Sequence, residues 1–223
     1  MTTNLSEWVK EVSATVPAVP DFLIERFARE AAIEFLKKTL LWQSTLTRIS
    51  VVADTNSYSL TAPAGGEIWG IQTVKYKADG KDDDTFKTLD PVSEVYEDHH
   101  DHGNWEYTEN ETPNEYRFDH LDDTLYLYPT PTEASASGLL VKVNAIPDQS
   151  ATYVQDFLYQ KYKNAITYGA KALLLQEPNQ PWSDIQTGLF NQAKFDTEIS
   201  DAKTKRLTGF TNRKLRVRQR RFV

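Results

Sequence analysis

Glu97-Asp98-His99-His100-Asp101-His102 is a run of imidazoles and carboxylates, the ligand types that transition metals prefer. A metal centre also needs those ligands held by a scaffold and oriented by outer partners, as when two histidines lie four apart on one helix face. Adjacent residues in a polar loop do not converge in that way. We therefore expect no metal here, and a metal-dependent hydrolase using His99, His100 and His102 stays a minor alternative. His120, beside Asp119 and Asp122, reads as a solvated turn histidine and not as a proton shuttle. The Asp82 to Asp84 run reads as a solvated face. There is no phosphate-cradling glycine loop, nucleophile elbow or HExxH pattern. With no cysteine in 223 residues, disulfides, thiol nucleophiles and thiolate zinc sites are excluded. Neither a cofactor nor catalysis is expected.

Charge is the stronger signal. The last twenty-one residues, Lys203 to Val223, carry nine Lys or Arg and no acid, leaving 16 basic against 32 acidic side chains before them. Within Arg213-Lys214-Leu215-Arg216-Val217-Arg218, apolar Leu215 and Val217 alternate with cations, the two-residue period of an extended strand. Such a segment cannot bury one face alone. It is either a solvated terminus or a peptide that adds to another subunit's sheet edge or an acidic groove. The acidic remainder repels nucleic-acid backbone, so only the tail can grip phosphates. Met1 to Lys10 is polar and unlike a signal peptide, and no stretch approaches the roughly 18 apolar residues of a membrane span. The expectation is a chain made without export and without a membrane contact.

The elements that must position these groups follow from periodicity. Asn4 and Glu7 resemble a capping box for a helix over 4–15, and Asp21 caps a longer one over 21–42 whose Ile24, Phe27, Ala31 and Phe35 share a face. From Ser44 the pattern turns to β-branched and aromatic runs, a small antiparallel sheet over 44–147 with a hairpin at Asp122-Asp123. The polar, acidic stretches Lys77 to Asp84 and Glu94 to Thr112 read as exposed loops, with one helical turn near Val92 to Glu97. Helical spacing returns over 153–176 and 181–207, with Pro181 in a first turn and Gly209 closing the last helix where the charge flips. The predicted fold is α+β: a helical bundle with an antiparallel β insertion, one domain over 1–209, and an extended basic tail over 210–223. The five tryptophans are scattered, as core or interface anchors would be.

Three segments together resemble the head-to-tail adaptor (connector) proteins of tailed bacteriophages. The first is Val19-Pro20-Asp21-Phe22-Leu23-Ile24 leading through Ala31-Ala32-Ile33-Glu34-Phe35-Leu36-Lys37-Lys38-Thr39 to Trp42. The second is Leu125-Tyr126-Leu127-Tyr128-Pro129-Thr130-Pro131 with Leu139 to Pro147 after it. The third is Ala165-Ile166-Thr167-Tyr168-Gly169-Ala170-Lys171-Ala172-Leu173-Leu174-Leu175, then Pro181-Trp182-Ser183-Asp184, Phe195 and the arginine-rich end. The resemblance implies a structural virion protein at the head-tail junction, assembled in the host cytoplasm. It implies a ring of twelve copies around the DNA channel, with the portal and a tail or nozzle protein as partners and DNA only as cargo. It implies that Phe210, Arg213, Lys214, Leu215, Arg216, Val217, Arg218, Arg220, Arg221 and Phe222 dock on the portal. The acidic stretch over 81–123 departs from the family's compact members. The competing reading is a DNA-binding protein that uses the basic tail.

Overall fold

A computed structural model describes residues 2–78, 85–92 and 112–210, which divide into two compact units: Met1–Leu41 with Pro147–Val223, and Trp42–Ile146. In the first unit, strand β1 (Thr2–Asn4) leads into a 3-10 turn over Leu5–Trp8, opened by the Asn4 side chain accepting from the Ser6 amide at 2.9 Å. The short helix α1 (Val9–Ser13) follows. The helix expected over 4–15 is thus a continuous 3-10 and α-helical stretch over 5–13, capped by Asn4 and ending two residues early. Trp8 is what holds this segment. It is fully buried, meets Tyr159 edge-on at 5.0 Å, and its indole N–H donates to the Lys163 carbonyl.

Helix α2 spans Asp21–Thr39 and stops at Leu40, which takes the left-handed conformation (φ 52°) and donates its N–H to the Leu36 carbonyl. This turn ends the helix short of Trp42. Strand β11 (Tyr153–Gln155) pairs antiparallel with β1, so helix α3 begins only at Asp156 and runs to Gln176. Its path breaks at Tyr162, where φ is −128°. Helix α4, Ile185–Leu207, starts after Asp184, whose carboxylate accepts from the Thr187 amide at 3.1 Å. That cap places Pro181 outside the helix and not in its first turn. The core lies where α2, α3 and α4 meet: Phe35 sits 5.1 Å from the Tyr162 ring and 6.3 Å from Phe195, while Ala31, Ala165 and Ala172 let the backbones approach.

In the second unit, β2 (Gln43–Thr45) and β3 (Ile49–Val51) lie one after the other along the long strand β10 (Ser135–Pro147), with a register shift between Ser135 and Leu139. With β5 (Gly66–Tyr76) and β6 (Lys87–Thr88) they make a five-stranded sheet. A four-stranded sheet has the order β4 (Ser57–Ser59), β9 (Thr124–Tyr128), β8 (Glu115–Asp119), β7 (Asp90–Pro91). Hairpin β8–β9 turns at Asp122-Asp123, with Asp123 in the left-handed region. Leu89, nearly fully buried, stands between β6 and β7 and donates to the Val74 carbonyl, so one short segment serves both sheets. Leu125, Leu127, Leu139, Val141 and Val143 fill the core between them.

The expected helical bundle with an antiparallel β insertion is overturned. Among the described residues there are four α-helices, one of them five residues long, and several sheets, so the fold is mixed α+β. The middle of the chain is no insertion of a single sheet: it forms two sheets around its own hydrophobic core, and β7 pairs with β8 in parallel. Leu89 explains the difference. One apolar residue in an acidic stretch gives no periodic signal, yet burying it draws the flanking residues into two ladders.

Candidate docking surfaces

Helix α4 finishes in a completed helix end. The Phe210 N–H donates to the Lys205 carbonyl at 2.8 Å and the Gly209 N–H to Arg206 at 3.0 Å, with Gly209 at φ 63°. This is the paired-bond cap in which a left-handed residue reverses the chain and satisfies carbonyls the helix would leave unpaired. Only glycine adopts that φ without strain. Phe210 is largely exposed. The remaining proposed docking residues, Arg213 to Phe222, lie outside the described residues, as do His99, His100, His102 and Trp105.

The exposed side of α4 is not polar throughout. Ile185, Leu189 and Phe190 are all more than half exposed, while Gly188, Asn191, Phe195, Ile199 and Ala202 form the buried stripe. Lys194 places its ammonium 4.4 Å from the Phe190 ring centre and 5.0 Å from that of Tyr168. Beside it on α3, partial burial holds the Lys171 ammonium below the usual lysine range; Lys194 adds repulsion and Glu11 opposes the effect.

A second surface lies within the β unit. A cleft of about 530 Å³ has Ser44, Thr45, Thr47 and Arg48 on one wall and Ser59 and Thr61 on the other. Those walls are the ends of two sheets. Among the described residues β2 and β3 pair only with β10, and β4 only with β9. The Leu46 N–H donates to Val141 and the Trp42 carbonyl accepts from Ala145, so the even positions face β10. The backbone groups of Gln43, Thr45 and Thr47 therefore face outward. Reasoning from sequence missed this site, although the hydroxyl-rich Ser44-Thr45-Leu46-Thr47 run carried its signal: an edge strand with one buried residue.

Charge is distributed by unit. Residues 42–146 hold 19 acidic and 7 basic side chains, residues 1–41 with 147–210 hold 13 and 12, and residues 211–223 hold none and six. The acidity read for everything before the tail belongs almost wholly to the β unit.

Among the described residues no three His, Asp or Glu side chains group to hold a metal ion. His120 is not merely solvated: its ring meets Trp69 edge-on at 6.1 Å and lies 6.2 Å from Phe118. Burial raises the nearby Asp123 carboxyl, with His120 acting the other way. No helix among the described residues is long and apolar enough to cross a membrane.

A mixed α+β chain with exposed apolar helix positions, an open sheet edge and a capped exit into a basic segment has the features of an assembly component. The family model for SU10 adaptor protein matches residues 1–219, and the chain belongs to that family. It is therefore a structural adaptor protein of a phage, a component of the virion. No curated protein matches the chain.

Proposed function

We propose that this chain is the head-to-tail adaptor that joins the phage portal to the tail as a ring, with Phe210 to Val223 as the portal-docking element. The observation that carries this reading is the closed cap at Gly209. The last buried residue of α4 is Ala202, and the helix is closed before the segment of six cations and no acid begins. In that segment Leu215, Val217 and Phe222 supply apolar contact, and Arg213, Lys214, Arg216, Arg218, Arg220 and Arg221 pair with acidic portal groups. The remaining partners are a tail or nozzle protein and further copies of the chain, twelve to a ring. DNA passes as cargo: the acidic residues of the β unit, facing the channel, deny it phosphate contacts. No reaction is assigned.

The test is pull-down of portal by the full chain and by a chain ending at Phe210, with circular dichroism on both and electron microscopy of the mixture. The reading expects rings on portal for the full chain and a folded but non-binding truncation. Normal portal binding by the folded truncation would refute the docking role. The basic tail also suits a DNA-binding protein. Capture of duplex by the tail, falling about tenfold or more from 50 to 200 mM salt and without portal binding, would favour that reading.

A further inference from the structure

We propose that the β2 edge accepts an extended strand, Arg213 to Val217, from a second copy of this chain. The proposal rests on reading the tail as an extended docking segment, and it narrows that reading: Arg213 to Val217 pass from the portal to a neighbouring copy, and Arg218 to Val223 keep the portal contact. Four observations meet here. Gln43, Thr45 and Thr47 present outward backbone groups with no partner among the described residues, as a strand-adding edge must. A cleft of about 530 Å³ opens beside them, and its lining of Ser44, Thr45, Thr47, Ser59 and Thr61 hydroxyls suits a polar backbone. The unit that owns the edge carries 19 acids against 7 bases, whereas residues 211–223 carry six cations and no acid. Finally, Leu215 and Val217 alternate with cations at the two-residue period that a strand on this edge needs.

Acids flank the cleft more than they line it. Asp54 follows β3, and Asp122 and Asp123 stand at the Leu60 end, where the Leu60 N–H donates to the Asp123 carbonyl. Arg48 is the one charged residue on the walls, and its guanidinium lies 5.4 Å from the Phe86 ring centre. The acids would thus steer the cationic strand while main-chain bonds set its register.

The thirteen residues after Phe210 reach about 43 Å when extended. Five of them on the edge leave Arg218 to Val223 free for the portal. A contact between one copy's tail and the next copy's edge is heterologous, and such contacts close into rings when the rotation permits.

The chain has no cysteine, so full-length variants test this directly. Thr47→Cys chains are mixed with Val217→Cys chains under mild oxidant, and the mixed disulfide dimer is measured against a Leu121→Cys plus Val217→Cys control. Leu121 is exposed on the same acidic unit but outside the cleft. The expected result is at least five-fold more mixed dimer at Thr47 than at Leu121, and a several-fold fall when Thr45→Pro removes one outward donor. Equal yields at the two sites would reduce the effect to diffuse charge attraction and overturn the proposal. So would an unchanged yield with Thr45→Pro. A Thr47→Cys/Val217→Cys double variant that closes within one chain at high dilution would overturn the assignment to a second copy. Portal pull-down by the same variants is a separate readout, so portal binding can fail while the crosslink survives.

Discussion

A methyl group on Gly169 of α3 would sit 2.8 Å from the Ala31 Cβ on α2, closer than real Cβ atoms approach. The Phe195 ring of α4 stands 3.1 Å from the same point. Three helices therefore meet at a position that tolerates no side chain, and Ala31 has no rotamer with which to retreat. Gly169→Ala gains up to about 1 kcal/mol of helix propensity but overpacks a rigid contact, which costs about 1–3 kcal/mol. The net expectation is a loss of about 1–2 kcal/mol, or roughly 2–8 °C in Tm for a chain of this size. Thermal unfolding followed by circular dichroism checks it, and an unchanged or higher Tm would show that the helices can part.

Asp184 caps α4 through its carboxylate, which accepts from the Thr187 hydroxyl and amide. These bonds, the hydroxyl's first, hold the carboxyl below its usual range. A carboxyl depressed in the folded state contributes stability that is present above its unfolded pKa and lost as pH falls through the folded value. Asp184→Ala should lower Tm by a few degrees at pH 7, and by less below about pH 4. Asp184→Asn should keep most of the cap at pH 7, because asparagine accepts the same bond, yet lose this acid-side dependence. Melts of the three proteins from pH 3 to 7 separate the capping bond from the charge.

Much of the helical unit was legible in sequence because periodicity and caps report on local structure. Gly209 marks a real end, whereas Asp21 is the first residue of α2 and not its cap, since Pro20 holds that position and no side chain closes the helix start. Ile24, Phe27, Ala31 and Phe35 are buried together as expected. What stayed hidden depends on partners distant in sequence. Tyr153–Gln155 is a strand only because Thr2–Asn4 lies beside it, and Lys87 to Pro91 forms ladders because Lys75, Tyr76, Glu115 and Tyr116 lie beside it. The open edge left only a compositional trace, the hydroxyl-rich Ser44 to Thr47 run, because the unpaired side of a strand is a property of the sheet. The basic tail was plain from charge alone.

Lys171 is a cation that its surroundings disfavour, by burial first and then by Lys194, with Glu11 only partly compensating. For a base whose folded pKa is lowered, the unfolded chain binds more protons between the two pKa values. Stability therefore rises with pH through that window, and the penalty is full below it. Lys171→Met keeps the stem and removes the charge, so it should raise Tm at pH 7 by about 1–2 °C. The gain should shrink as pH climbs toward about 10, where the lysine loses its own charge. A fall in Tm at pH 7 would mean that the Glu11 attraction outweighs burial.

The portal-docking role proposed for the tail predicts that its arginine-rich end separates charge from apolar anchorage. Arg218, Arg220 and Arg221 attract at a distance, and exposed attraction is screened within about 8–10 Å at moderate ionic strength, whereas burial of the Phe222 ring is not. Replacing the three arginines with alanine should weaken portal capture several-fold at 50 mM salt and by little at 500 mM, because the native contact is itself screened there. Phe222→Asp should weaken capture at both salts, since it removes apolar burial and adds a carboxylate to a surface proposed to be acidic. Binding curves for the two variants and the parent at both salts decide the matter. If the arginine variant matches the parent at low salt, the cations serve something other than the portal, and docking must be sought elsewhere on the chain.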